Sequence, residues 1–337
     1  MAEENTLYSI KDLVVEYSTR SGALRAVDEV SFEIKKGEVL GLVGESGCGK
    51  STLGKAIMRM IEEPGKIVSG KLIFDNLDLM EISNEEMRKI RGSRISMIFQ
   101  DPMTSLNPVQ RISGHLIETV HAHDFTIDRK TARSLAAKLI DRLGIRSERL
   151  DDYPHQLSGG MRQRVMISLG LVLNADLIIA DEATTSLDVI VEAKLVDQLK
   201  QIQDEFGVTI LVITHNIALV AQIADRLAVM YAGRIVELGS IYEVFEHPKH
   251  PYTQGLLDCI PTIKLENDEE LYKMPGEPPN LINPPSGCRF HPRCPQAMPI
   301  CSRERPKLED LGGEHFVHCW LYQDHPSKEA TGNEVSS

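Results

Sequence analysis

The chain has 337 residues, 42% of them apolar and 26% charged, which is long enough for two globular domains with a sizeable core. Its 49 acidic residues against 37 basic ones give a net charge of −12, which offers no basic footprint for a phosphate backbone and argues against nucleic acid as the main partner. The longest nearly apolar run, Val165 to Leu173, is far short of the ~18 residues of a bilayer-crossing helix, and the acidic start MAEENTLYSI has no secretory pattern, so a cytosolic chain that crosses no membrane is expected.

Residues 7 to 37 alternate apolar and polar in two runs, Leu13, Val15, Tyr17 and then Val30, Phe32, Ile34, which predicts a small antiparallel β layer. EVLGLVG is a continuous apolar strand. A glycine-rich turn follows it, and then a helix with Leu53, Ile57, Met58 and Ile61 at helical spacing, so strand, loop and helix form a parallel-sheet unit. From about 84 to 172 the chain is charged, amphipathic and helical apart from the short strand ISMIF, and it is predicted to be a helical subdomain. His121 and His123 are expected there in a solvated loop. Alternation resumes with LIIAD, a helix striped by Leu195, Leu199, Ile202 and Phe206, the buried strand VTILVIT, and the pair RLAVMY and RIVEL around Ala232 and Gly233. The α/β domain is predicted to span 1–245. A proline- and cysteine-rich extension covers 246–325, and 326–337 are polar enough to be disordered.

Gly44-Glu45-Ser46-Gly47-Cys48-Gly49-Lys50-Ser51 fits G-x-x-x-x-G-K-[ST] and sits where that motif must, after a strand and before a helix, with Thr52 next in line. The glycines let backbone N–H groups turn inward to cradle phosphate oxygens, Lys50 reaches the β and γ phosphates, and Ser51 offers a hydroxyl to magnesium. Asp181 ends a buried apolar run, where it is able to hold magnesium through water, and the adjacent Glu182 is able to polarise an attacking water. Two acids at a strand end are also compatible with plain solvation. In LSGGMRQR, Ser158, Gly159 and Gly160 open a helix, whose dipole and free N–H groups suit an anion.

With these residues together the chain resembles the ATP-binding subunit of an ABC transporter. The resemblance implies an α/β P-loop NTPase fold, the ABC-type nucleotide-binding domain, with antiparallel and helical subdomains and a small carboxy-terminal extension. It further implies a head-to-tail dimer with two ATP molecules and Mg2+ sandwiched between the loop of one subunit and the LSGG segment of the other. Residue by residue, Tyr17 matches the aromatic that stacks on adenine, Gln100 the glutamine that senses magnesium and the membrane partner, Asp188 the dimer-contact loop, and His215 the switch histidine that holds the γ-phosphate. Glu182 is then the general base, and Lys50 with Ser158 stabilise charge. Cys48 fills a free position of the loop, its thiol expected near nucleotide and open to alkylation.

MIFQDPMTSLNPV, ADRLAVMYAGRIVELG and HPKHPYTQGLL resemble the subunits that drive oligopeptide and dipeptide importers, and the resemblance runs from about residue 6 to 322. Ala183 stands where those subunits usually carry proline, and Asn216 where aspartate is usual. The implied setting is the cytosolic face of the membrane, with a second, similar ATPase, two membrane permeases docked around Gln100 to Asn107, and an extracellular binding protein. An importer of another solute, oligosaccharide or nickel, remains an alternative, as does a non-transport ABC ATPase acting on nucleic acid or the ribosome.

Six cysteines in a reducing compartment point to metal binding or free thiols rather than disulfides. Four of them, Cys288, Cys294, Cys301 and Cys319, lie in the extension, and a GC-x-F-x-x-R-C pattern there is shared with peptide-importer ATPases. Zinc sites usually pair ligands two to four residues apart on one tight turn, a spacing absent here, so a four-iron four-sulfur cluster is the favoured expectation, with zinc or metal-free thiols as alternatives. His291 and His318 are read as bystanders, and Cys259 is unassigned.

Overall fold

The computed structural model describes residues 5–98, 106–181, 189–260 and 274–324. The chain opens with β1 (Thr6–Thr19) and β2 (Gly22–Lys35), an antiparallel pair with Ile10 opposite Phe32 and Leu13 opposite Val30. β2 alternates buried and exposed residues from Asp28 to Ile34, as a period of two requires, whereas β1 is buried in the runs Leu7–Ile10 and Leu13–Val15 and its pairing with β2 is broken by register shifts. β3 (Val39–Val43) is buried along its whole length and runs through the loop 44–49 into α1 (Lys50–Ile57). β4 (Gly65–Phe74) and β5 (Leu77–Asp78) then return to the first layer and complete a four-stranded sheet in the order β2-β1-β4-β5.

The helical layer begins with α2 (Asn84–Ile90), whose start is fixed by a capping box between Ser83 and Glu86. β6 (Ile95–Ile98) leaves that layer to form one edge of the main sheet. α3 (Ile112–His123), α4 (Arg129–Arg142) and α5 (Gly159–Leu171) pack together through Leu116, Val120, Ala136, Ile140 and Val165. His121 and His123 lie in the last turn of α3 and are half-buried, which corrects the solvated loop expected for them; the ring of His123 closes over Gly92.

β7 (Leu177–Asp181), α6 (Val189–Phe206), β8 (Thr209–Thr214), the short α7 (Ile217–Val220), β9 (Arg226–Tyr231) and β10 (Arg234–Ser240) follow, and α8 (Ile241–Glu246) and α9 (Pro251–Asp258) lead into the extension. The main sheet has the order β11-β12-β10-β9-β3-β8-β7-β6, where β11 is Glu309–Asp310 and β12 is Phe316–Val317. β9, β3, β8, β7 and β6 are parallel, so their buried residues read as unbroken Val, Ile and Leu runs. β12 pairs with β10 through Glu237 opposite Val317. The extension is therefore built onto the same sheet as the phosphate loop.

A buried charge cluster ties the layers together. The Asp28 carboxylate, 2% exposed, accepts from Arg234 Nε at 2.8 Å and Arg289 Nη2 at 2.7 Å, and Arg25 Nη1 reaches it at 3.3 Å. Burial alone would raise the pKa of this carboxyl, but Arg234 and Arg289 outweigh it and hold it below its ordinary 3.8. Burial also pulls the Arg289 guanidinium down to about 10, beside Arg234 of like charge. Asp28→Ala removes the only carboxylate facing Arg289 among the described residues, and it should destabilise the fold by about 3–5 kcal/mol in denaturant unfolding at neutral pH. Because the folded pKa lies below the unfolded one, the contribution is fully present above about pH 4 and fades as pH falls through the folded value. The gap between wild type and variant should therefore narrow in strong acid.

Candidate functional site

The loop after β3 is wedged between two neighbours. A Cβ on Gly44 would meet the Met230 carbonyl oxygen at 2.1 Å, and one on Gly49, whose φ is +107°, would meet the Ala26 carbonyl oxygen at 2.1 Å. Only glycine fits at either point, and the backbone is thereby pressed against β9 on one side and β2 on the other. Within the loop, Lys50 is 3% exposed and folds back over it, its Nζ donating to the Gly44 carbonyl at 2.9 Å and the Glu45 carbonyl at 3.0 Å, with Cys48 Sγ 3.8 Å away. Ser46 and Gly47 are exposed at the tip, Glu45, Gly49, Ser51 and Thr52 are half-buried, and Cys48 is 5% exposed. Burial pushes the Cys48 thiol up despite the pull of Lys50. A buried neutral thiol is a poor nucleophile, which weighs against the expected sensitivity to alkylation.

Ser51 Oγ donates to Asp181 Oδ1 at 2.9 Å, so the first turn of α1 and the end of β7 meet as two of the three residues expected around magnesium. Gln100, the third, lies outside the described residues, as do Glu182, Ala183, Asp188 and most of the segment expected to meet the membrane subunits. His215 is exposed just past β8. Asn216 beside it caps α7, its Oδ1 accepting from Leu219 N at 3.2 Å, so this departure from the usual aspartate keeps a helix-starting residue. Tyr17 is half-buried and lies over Gly65, where a Cβ would sit 2.5 Å from its ring.

The glycine-opened helix stands apart. Ser158 caps α5 by accepting from Met161 N at 3.3 Å, and Gly159 and Gly160 face open space, with nothing within 4 Å of an added Cβ. Among the described residues no hydrogen bond joins 158–160 to the loop at 44–52.

Sequence reasoning missed the residues that buttress the loop from outside. Glu45 N donates to Tyr252 Oη at 2.9 Å, and the Glu45 carboxylate takes both arms of Arg293, Nη1 to Oε2 at 2.7 Å and Nη2 to Oε1 at 2.9 Å. Gly233 N donates to the Cys48 carbonyl at 2.7 Å, and Arg289 Nη1 donates to the carbonyl of Ala232. Phe290 seats the extension in an aromatic cluster, 5.2 Å from Tyr231 and 5.4 Å from Tyr252. Tyr252, Arg289 and Arg293 fall within HPKHPYT and GCRFHPRC. The one available signal was a pair of arginines flanking cysteines in an otherwise small, proline-rich segment.

Cys288, Cys294, Cys301 and Cys319 line one small cavity together with Phe290, His291 and Trp320. Backbone N–H groups face the sulfurs: Phe290 and His291 toward Cys288, Gln296 toward Cys294, Leu321 toward Cys319, and Met298 toward Cys301 at 3.4 Å. Burial raises the Cys288 thiol to about 11 and the Cys319 thiol to about 12. Among the described residues no three His, Cys, Asp or Glu side chains converge into a group that would hold a single metal ion. That arrangement counts against zinc and gives no support to the four-iron four-sulfur cluster expected from the sequence. Cys259, exposed, follows α9.

A glycine-cradled phosphate loop on a parallel sheet, an acid at the next strand but one, and a separate glycine-opened helix facing outward are the parts of an ATP-binding cassette. Residues 27–185 match the family described as ABC transporter, and residues 236–301 match that described as oligopeptide/dipeptide transporter, C-terminal region. The chain is 44% identical over 325 residues to the dipeptide transport ATP-binding protein DppD of Bacillus subtilis (strain 168), covering 96% of both. It is 42% identical over 333 residues to the oligopeptide transport ATP-binding protein OppD of the same organism, covering 98% of this chain and 93% of that one. Among solved structures it resembles cbiO1 from Clostridium perfringens, part of the ABC transporter complex cbiONQ, with a TM-score of 0.63, 30% identity and coverage of 72% of this chain and 92% of that one. It likewise resembles the dimeric post-hydrolysis ATP-binding cassette MJ0796 bound to ADP and Pi, with a TM-score of 0.61, 26% identity and coverage of 70% and 99%. The chain belongs to the ATP-binding subunits of ABC transporters, and it is an ATPase of that class. No helix among the described residues is long and apolar enough to cross a membrane.

Gly49→Ala drives a methyl group into the Ala26 carbonyl at a positive φ, so it should lower the affinity for MgATP by about 10-fold or more, measured by equilibrium binding of a labelled nucleotide, through displacement of a loop whose N–H groups must converge.

Proposed function

We propose that the chain is the ATP-hydrolysing subunit that powers a peptide importer. The observation that carries this reading is the likeness to dipeptide and oligopeptide transport ATP-binding proteins, which runs through the carboxy-terminal extension and covers nearly the whole chain. In this reading Lys50 and the loop N–H groups hold the phosphates, Tyr17 stacks on the adenine, Glu182 takes the proton of the attacking water, and His215 clamps the γ-phosphate. Ser51, Asp181 and Gln100 would hold Mg2+, which when bound neutralises charge between the β and γ phosphates.

Among the described residues no hydrogen bond joins the loop to the glycine-opened helix. The reading therefore includes a head-to-tail pair with a second ATPase, a different but similar subunit, in which Ser158, Gly159 and Gly160 of one subunit close on the phosphates of the other and Asp188 lies at the contact. Two membrane permeases at the cytoplasmic face, fed by an extracellular binding protein, complete the assembly. In proteoliposomes holding the four subunits, MgATP should drive uptake of short peptides, and uptake of nickel or an oligosaccharide in their place would sink the peptide assignment while leaving the ATPase intact. Glu182→Gln should still bind MgATP and accumulate the closed pair, with kcat reduced by about 100-fold or more, as loss of a general base entails. Turnover by that variant at the wild-type rate, with contaminating ATPases excluded, would remove Glu182 from its role.

For the four cysteines of the extension we propose a four-iron four-sulfur cluster rather than a single ion. All four thiols line one cavity, backbone N–H groups already face each sulfur, and no tight turn pairs two of them. Protein purified without oxygen should absorb broadly near ~400 nm and carry about four irons per chain. Colourless, iron-free protein after the same handling would leave the cavity as a packed set of neutral thiols.

A further inference from the structure

Outside the phosphate loop itself, the strongest unexplained feature of the ATP site is what holds its second residue. Glu45 is a free position of the motif, so nothing in the motif's chemistry requires a carboxylate there. Its side chain nevertheless accepts both arms of one guanidinium, Arg293 Nη1 at 2.7 Å and Nη2 at 2.9 Å, the two-point geometry that fixes orientation as well as distance. Arg293 is itself immobilised. Its side chain is 5% exposed, its Nε donates to the Pro275 carbonyl at 2.9 Å, its Nη1 also reaches Tyr231 Oη at 3.3 Å, and its aliphatic stem lies over Gly276. The hydrogen bond to Glu45 holds the guanidinium firmly in its charged form.

The backbone of Glu45 is pinned from the same side, since its N–H donates to Tyr252 Oη and its carbonyl accepts from Lys50 Nζ at 3.0 Å. Glu45 therefore has the phosphate-binding lysine on one side and the extension on the other. We propose that Arg293 is a positioning residue for ATP binding: through Glu45 it sets the place of the loop's first turn and of Lys50, so that the cysteine-rich extension is a structural part of the nucleotide site. Arg293 sits in the short turn His291–Arg293 between Cys288 and Cys294, so whatever orders the four-cysteine cavity also orders this contact. The inference rests on the loop being the ATP site and is independent of the transported solute.

The test is steady-state ATP hydrolysis by the full-length chain assembled with its partner subunits, with KM for MgATP and kcat read separately. Arg293→Met should raise KM by about 10-fold while changing kcat by less than about twofold, because the loop holds the phosphates in the ground state and the transition state alike. Glu45→Gln should raise KM by a comparable factor, and the double variant should add little to either single one. The exchange Glu45→Arg with Arg293→Glu should bring KM back toward wild type, a rescue that a merely structural arginine would not give. Unchanged KM in either single variant, or additive effects in the double, overturns the proposal. If Arg293→Met does not fold, Glu45→Gln and the exchanged pair decide it: a raised KM restored by the exchange supports the contact, and a wild-type KM for Glu45→Gln or no rescue overturns it.

Discussion

The phosphate loop has no room to move sideways, and the rest of the site follows from that. Its two tight glycines lie against main-chain carbonyls of β9 and β2, at positions where even a methyl group would collide. Main-chain oxygens are fixed by the sheets that own them, so the loop inherits its shape from strands rather than from its own residues. Such a loop can present converging N–H groups without spending binding energy on ordering them. Lys50 completes this arrangement from inside, its Nζ bonded to two loop carbonyls and its stem buried, and the first helical turn carries Ser51 to Asp181 across the sheet.

The turn at Ala232 and Gly233, which joins β9 to β10, is where these supports converge. Gly233 N donates to the Cys48 carbonyl, its own carbonyl accepts from Asp28 N at 2.9 Å, and Arg289 donates to the carbonyl of Ala232. One short turn thus touches the phosphate loop, the antiparallel layer and the extension at once. The charges around it are costly to bury, and Asp28 offsets the cost only because two guanidinium groups meet it at hydrogen-bonding distance. Removing the carboxylate would leave the buried Arg289 guanidinium without its charge partner, and the cluster joins the extension to the antiparallel layer through the Arg289–Asp28 pair. The extension itself has little apolar material, and it gains its footing by adding β12 to the main sheet and Phe290 to an aromatic cluster formed by Tyr231 and Tyr252.

Much of this was legible in the sequence for physical reasons that differ from element to element. The parallel strands announced themselves as unbroken apolar runs because both faces are covered, and β2 as an alternating one from Asp28 to Ile34 because only one face is covered there. β4 and β5 were not legible: only Leu72 and Phe74 of β4 are deeply buried, and the strand exists because β1 supplies its hydrogen-bonding edge, a tertiary effect. His121 and His123 looked like loop residues because they are polar, whereas their place at the end of α3 is set by Ile117 and Val120 below them. The glycine-rich loop was legible through spacing, since it is local in the chain. The Glu45–Arg293 and Asp28–Arg289 pairs were not, because their partners are separated by 248 and 261 residues and no local pattern records them.

The same contrast bears on why a cassette of this kind carries an appendage at all. The antiparallel layer and the main sheet support the loop through the carbonyls of Ala26 and Met230, which the strands keep in place. On Glu45 the support comes instead from the side chains of Tyr252 and Arg293. Side-chain supports differ from main-chain ones in one respect: they can be withdrawn without dismantling the sheet. A loop held by backbone on the sheet side and by an ion pair from the extension on the other retains its shape while remaining sensitive to how that extension is ordered, and the ion pair's arginine sits in the turn between Cys288 and Cys294.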